Sequence, residues 1–165
     1  MVQAHRRGGA PAGLAAIDCK CSGTDIYPQE VRLRQLDIHL NEPDSTAFAA
    51  RLSHSSIEDM VIGMRASATG AVGIDLIGDD ARGSGPYYNT FKNCSVQGQG
   101  SRQVGVRFRP LGPSRRAPNA NTWIGGRVGQ CDTGFEVSGC GNTFVNPTIE
   151  GCGTAFSFLD SIEST

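Results

Sequence analysis

No stretch of this chain approaches the ~18 consecutive apolar residues that a membrane-spanning helix requires. The opening Met1-Val2-Gln3-Ala4-His5-Arg6-Arg7-Gly8-Gly9 lacks the apolar core of a secretion signal, so no leader of its own is expected. Charge of one sign is missing too. Fifteen basic and 16 acidic side chains leave a net charge of −1, which excludes a global basic field for nucleic acid. Hydrophobic residues are only 38% of the chain, below the ~45–50% of ordinary domains. The six cysteines (19, 21, 94, 131, 140 and 152) form no CxxC pair, and His5, His39 and His54 are scattered. Zinc spacing is therefore absent, and neither a metal nor a cofactor is expected. Buried free thiols in a reducing compartment fit this usage best.

Glycine is what the chain has in excess: 22 of 165 residues, against a usual ~7%. High glycine with poor helical periodicity directs attention to repeats. Asn-Thr followed by an aromatic occurs at Asn89-Thr90-Phe91, Asn121-Thr122-Trp123 and Asn142-Thr143-Phe144. Five residues after each aromatic stands a β-branched residue: Val96, Val128 and Ile149. Leu33/Ile38 and Ile57/Ile62 keep the same frame upstream. A second unit alternates small, apolar, polar, apolar at Gly73–Leu76, Gly105–Phe108, Gly134–Val137 and Ala155–Phe158, the period of a half-buried strand. Its anchors Phe48, Ile74, Val106, Phe135 and Phe156 are 26, 32, 29 and 21 residues apart. Ser55–Met64 also has the look of a capped helix, but flanking glycines and the five-residue frame favour strand.

Irregular repeats with two short strands and a glycine-bearing corner suit an all-β, right-handed parallel β-helix of about five coils. Coils stacked at ~4.8 Å make like positions neighbours, in a rod ~24 Å tall. Residues 1–14 are read as an N-terminal cap or arm and 15–165 as the β-helix domain. The inward columns are then Phe48, Ile74, Val106, Phe135, Phe156 and Leu33, Ile57, Phe91, Trp123, Phe144. Cys131 and Cys152 should sit in adjacent coils. Asp75, Arg107 and Glu136 should form an outward ladder, better suited to ion pairing than to catalysis because an arginine between two carboxylates keeps both ionised. Asn93 and Asn146, each two residues after an aromatic, are candidates for stacked amides.

Two insertions, residues 78–88 and 109–120, each follow the first strand and precede the Asn-Thr unit, so they should rise side by side from one corner. Residues 101–131 hold six arginines and no acid; residues 71–90 hold three aspartates and one arginine. Loops of opposite charge can pair with one another, and Arg and Tyr on a rigid scaffold also serve sugar or anion recognition. The candidate ligand- or partner-binding residues are Asp79, Asp80, Arg82, Tyr87, Tyr88, Arg109, Arg115 and Arg116. No catalytic residue is assigned. The apolar close of the chain (Phe156, Phe158, Leu159, Ile162), with Ile124 and Val145 on a side, gives a motive for self-association.

The phrases Tyr87–Cys94, Asn119–Gly126 and Cys131–Val137 resemble coils of bacteriophage tailspike and tail-fibre proteins, whose right-handed β-helix is similar to that of pectate lyases. The resemblance covers roughly residues 45–158, and the first forty fit loosely. It implies a homotrimeric virion protein, made in the host cytoplasm, that recognises a host surface polysaccharide alongside other particle proteins. Its alternatives are a virion decoration or adaptor protein without glycan binding, and a polysaccharide depolymerase fragment. The expected particle-binding and trimerising domains on either side of the coils are not evident.

Overall fold

The computed structural model describes residues 15–19, 30–78, 86–111 and 117–159. Among these there is no helix, and the strands form three parallel sheets. The first repeat supplies β1 (Ala15–Cys19), β2 (Arg32–Arg34) and β3 (Asp37–Leu40). The second supplies β4 (Thr46–Ala50), β5 (Ser56–Glu58) and β6 (Val61–Met64). The third contributes β7 (Val72–Gly78), β8 (Thr90–Lys92) and β9 (Ser95–Gln97), and the fourth β10 (Val104–Pro110), β11 (Thr122–Ile124) and β12 (Arg127–Gly129). The fifth has β13 (Thr133–Val137), β14 (Thr143–Val145) and β15 (Thr148–Glu150), and β16 (Thr154–Phe158) opens a sixth. Every strand pairs with its equivalents in the neighbouring repeats, giving one sheet in the order β1-β4-β7-β10-β13-β16 and two of five strands each. β1, β2 and β3, from the part of the chain that looked loosely related in sequence, pair in all three sheets with the second repeat.

The sequence frame predicts two strands per repeat, whereas the structure has three. The reason lies in the five-residue spacing itself. On one straight strand, residues an odd number apart point to opposite faces. Yet Ile57 and Ile62, Phe91 and Val96, Trp123 and Val128 are all buried. A bend must therefore separate the members of each pair. Its first residue is left-handed in every repeat: Gln35, Asp59, Asn93, Gly125 and Asn146 have φ of 55°, 53°, 51°, 61° and 47°. Asn, Asp and Gly tolerate that region best. The bend keeps the ladder running, because the amides of Asp59, Asn93 and Gly125 donate to Lys92, Ile124 and Val145 carbonyls at 3.0, 2.9 and 2.8 Å. Asn93 and Asn146 thus serve as bends and not as a stacked amide pair, since Gly125 stands between them in the column. The segment 55–64 is strand, bend, strand, with no helix.

Three apolar columns fill the interior. The registers align Phe48, Ile74, Val106, Phe135 and Phe156, as the anchor spacing predicts. Leu33, Ile57, Phe91, Trp123 and Phe144 form the second column. Ile38, Ile62, Val96, Val128 and Ile149 form the third. The aromatics make continuous contact: Phe91 stacks on Trp123 at 5.8 Å, Trp123 meets Phe135 edge-on at 5.2 Å, and Phe135 stacks on Phe156 at 4.9 Å. Each such pair adds about 0.5–1.5 kcal/mol beyond the area it buries. Trp123 also donates its indole N–H to the Gly125 carbonyl at 2.6 Å.

The small residue that begins each alternating unit has a packing reason. A Cβ on Gly105 would overlap Val128 and lie 2.7 Å from the Gly134 carbonyl oxygen; one on Gly134 would lie 2.8 Å from the Ala155 carbonyl oxygen and 3.2 Å from Ile149. The first and third sheets approach closely along this line.

Two outcomes follow for stability. Trp123→Ala should cost on the order of 3–5 kcal/mol in urea unfolding, as for other buried aromatics; a loss below about 1 kcal/mol would be that of a surface site. Gly105→Ala, which adds one methyl group, should cost about 1–3 kcal/mol through overpacking, and a neutral result would show that the two sheets can separate freely there.

Candidate functional site

The corner between the first and second sheets is where β7 and β10 run longest and both insertions leave the repeat. Their points of departure touch, with the Leu111 amide donating to the Gly78 carbonyl at 2.6 Å. Their points of return touch as well: the Pro86 carbonyl accepts from the Asn119 amide at 3.3 Å and from Asn121 Nδ2 at 3.1 Å. The two loops therefore emerge from adjacent repeats at one corner. Asp79, Asp80, Arg82, Arg115 and Arg116 lie outside the described residues; Tyr87, Tyr88 and Arg109 are placed.

Beneath this corner runs an amide ladder. It uses the asparagine of each Asn-Thr unit. Asn89 Nδ2 donates to Asn121 Oδ1 at 2.9 Å, and Asn121 Nδ2 to Asn142 Oδ1 at 3.1 Å. Each Oδ1 also accepts a backbone amide from the repeat before: Asn121 from Asn89 N and Asn142 from Asn121 N, both at 3.0 Å. The remaining Nδ2 hydrogens go to the carbonyls of Leu52, Pro86 and Pro118. Ser55 takes the equivalent place in the second repeat, its amide donating to Asn89 Oδ1 and its hydroxyl accepting from the Val31 amide. Asn89 and Asn121 are buried, and satisfying every amide group is what makes that burial affordable.

Along the first sheet the sequence predicts an Asp75–Arg107–Glu136 ladder. In the structure two guanidinium groups converge on Asp75. Arg107 meets it through Nε at 3.2 Å and Nη2 at 2.8 Å, and Arg109 through Nε at 3.1 Å and Nη2 at 2.9 Å. Asp75 is buried, and both of its oxygens are engaged. Arg109, read in sequence as a loop residue, thus closes the end of β10 and binds the carboxylate that underlies the corner. Breaking one side of such a buried pair strands the other charge, which is the costly event.

The exposed part of the corner is aromatic. Tyr88 is 62% exposed, its ring 5.1 Å from the exposed His54 and 6.4 Å from Tyr87. The His54 amide donates to the Tyr87 carbonyl, and Tyr87 pairs with Asn119 in an isolated parallel bridge. His54 shows no sequence signal for this role except its place two residues before a strand, matching Tyr88.

From β2 onward, the other corners are short. At the turn from third to first sheet, buried Gln103 accepts the Gln99 and Gly100 amides and donates to the Arg65 and Ala68 carbonyls, using all of its amide valences. Cys131 lies near Cys152, as the spacing predicts; burial, with that neighbour adding to it, pushes the Cys131 thiol up to about 12. Burial likewise raises Cys94 to about 11. Among the described residues no three His, Cys, Asp or Glu side chains cluster as metal ligands. The last strands are open: Phe158, Leu159 and Val145 are 73%, 42% and 41% exposed. Ile162 lies outside the described residues.

The thiols predict an alkaline response. Cys94 and Cys131 keep their protons in the folded chain at pH values where the unfolded chain, with a thiol near 9, has lost them. The unfolded state then binds fewer protons, so stability falls as pH rises from about 9 towards 11. Urea midpoints between pH 8 and 10.5 should decline, and less steeply in Cys94→Ala; equal slopes would place Cys94 in contact with solvent. Comparison with protein-family models, with curated proteins and with solved structures finds no match for this chain.

Proposed function

We propose that this chain is a right-handed parallel β-helix serving as a tailspike- or tail-fibre-like module of a phage particle, and that it recognises a host surface polysaccharide. The observation that supports it most is the juxtaposition of both insertions, from adjacent repeats, at one corner. Rigid sheets fix the feet of the loops while leaving their tips free to vary, which is how scaffolds carry recognition. In sequence the insertions carry paired arginines (115 and 116) and paired aspartates (79 and 80), with Tyr87 and Tyr88 where the first of them rejoins the sheets. A planar guanidinium binds carboxylates of acidic sugars through two parallel hydrogen bonds. Binding is favoured over turnover in this reading, since the buried carboxylate Asp75 has both oxygens held by arginines and is not free to act as a base.

Self-association belongs to the same proposal, as a homotrimer by resemblance. Exposed Phe158, Leu159 and Val145 supply its motive. The same apolar end favours a second reading, an adaptor or decoration protein seated on another virion component without glycan contact.

An array of bacterial capsular and O-antigen polysaccharides tests the proposal, with reducing-sugar release measured on every bound polymer. Binding without release is expected, with a tenfold or greater loss in Arg115→Ala/Arg116→Ala at unchanged melting temperature. Equal binding by the double variant would move recognition off this corner, and sugar release would make the chain a depolymerase. A monodisperse monomer in light scattering at micromolar concentration would overturn self-association.

A further inference from the structure

The entry to the second sheet requires a left-handed residue in every repeat: Glu30, His54, Tyr88, Ala120 and Gly141 have φ of 58°, 52°, 57°, 53° and 66°. Glycine meets this requirement without strain, and asparagine nearly so. A bulky tyrosine is among the poorest choices. Tyr88 does not recover the strain by burial, since it remains 62% exposed. A bulky residue that costs stability at an exposed position, where alanine serves one repeat on and glycine two, is the pattern left when a side chain is kept for contact with something else.

The surroundings of the ring define what that contact is. One side is backed by His54 at 5.1 Å. In the other direction the next two repeats carry only Ala120 and Gly141 at this position. Among the described residues at this position, the side chain steps down in size from the tyrosine ring to a methyl group and a hydrogen over two strand spacings, about 10 Å.

Resting on the polysaccharide-recognition reading above, we propose that this step is a stacking subsite for one hexopyranose unit of the bound glycan. Tyr88 is the platform and His54 the positioning residue that backs it. The apolar face of a pyranose presents axial C–H bonds whose hydrogens carry partial positive charge, matching the negative face of an aromatic ring. The phenol hydroxyl, at the rim, meets the sugar's own hydroxyls.

The test uses the full chain and whichever array polysaccharide it binds, with Tyr88→Gly and Tyr88→Phe read for both affinity and melting temperature. Tyr88→Gly should bind at least tenfold more weakly while melting at the same or a higher temperature, and Tyr88→Phe should retain most of the affinity. Tyr88→Gly binding as well as the parent would overturn the stacking subsite and leave polysaccharide recognition standing. A lower melting temperature in Tyr88→Gly would make the ring structural and likewise overturn it. Binding of no polysaccharide by the parent chain would overturn both.

Discussion

The constraint on which everything else rests is in-register parallel pairing. It makes each residue the immediate neighbour of its equivalents 21 to 34 positions away, at about the 4.8 Å separation of adjacent strands. A side chain at one position is thereby selected against a column, not against a local environment. Apolar columns close the interior because Phe91, Trp123 and Phe144 follow one another in the same place. The same logic forces glycine at 73, 105 and 134, where two sheets converge and a single methyl group meets the next repeat's backbone or the facing valine.

Polar groups obey the column rule more strictly than apolar ones. Three corners per repeat turn backbone groups inward, and each needs a partner. The chain answers with different devices: an asparagine ladder between the first and second sheets, left-handed bends between the second and third, and, at the one turn that leads into β10, a fully engaged glutamine. The buried Asp75 is handled alike, with two guanidinium groups from the following strand.

Much of this was legible in the sequence because columns are written as recurrences. The Asn-Thr-aromatic units and the anchors from Phe48 to Phe156 mark register even though the repeats share little else. The third strand was hidden because a two-residue bend does not interrupt the apolar pattern; only the odd spacing between two buried residues betrays it. Asn93 and Asn89 are both recurrent asparagines, and recurrence alone does not say which one bonds along the rod and which one turns the chain. Backbone φ does. Arg109 read as a loop residue because the alternating unit was taken to end at Phe108, yet β10 runs on through Pro110, and the guanidinium reaches back to Asp75. His54 carried little visible signal, since its partner Tyr88 stands 34 residues away and only the parallel register of β5 on β8 joins them.

The asparagine ladder has a consequence for how such a molecule changes length. Every Oδ1 in it faces the preceding repeat, and every Nδ2 hands one hydrogen backward to a carbonyl; Asn89 and Asn121 hand the other forward to the next Oδ1. The ladder is therefore a directional wire of amide dipoles with an acceptor-ready end and a donor-ready end. A new repeat can be spliced into it by duplication, in one orientation and as a whole unit, provided that it brings an asparagine or, as Ser55 shows, a hydroxyl able to terminate the run. Growth of the loops meets no such condition. Length along the axis is thus quantised and polar, while variation at the corner is continuous, so the two can evolve independently.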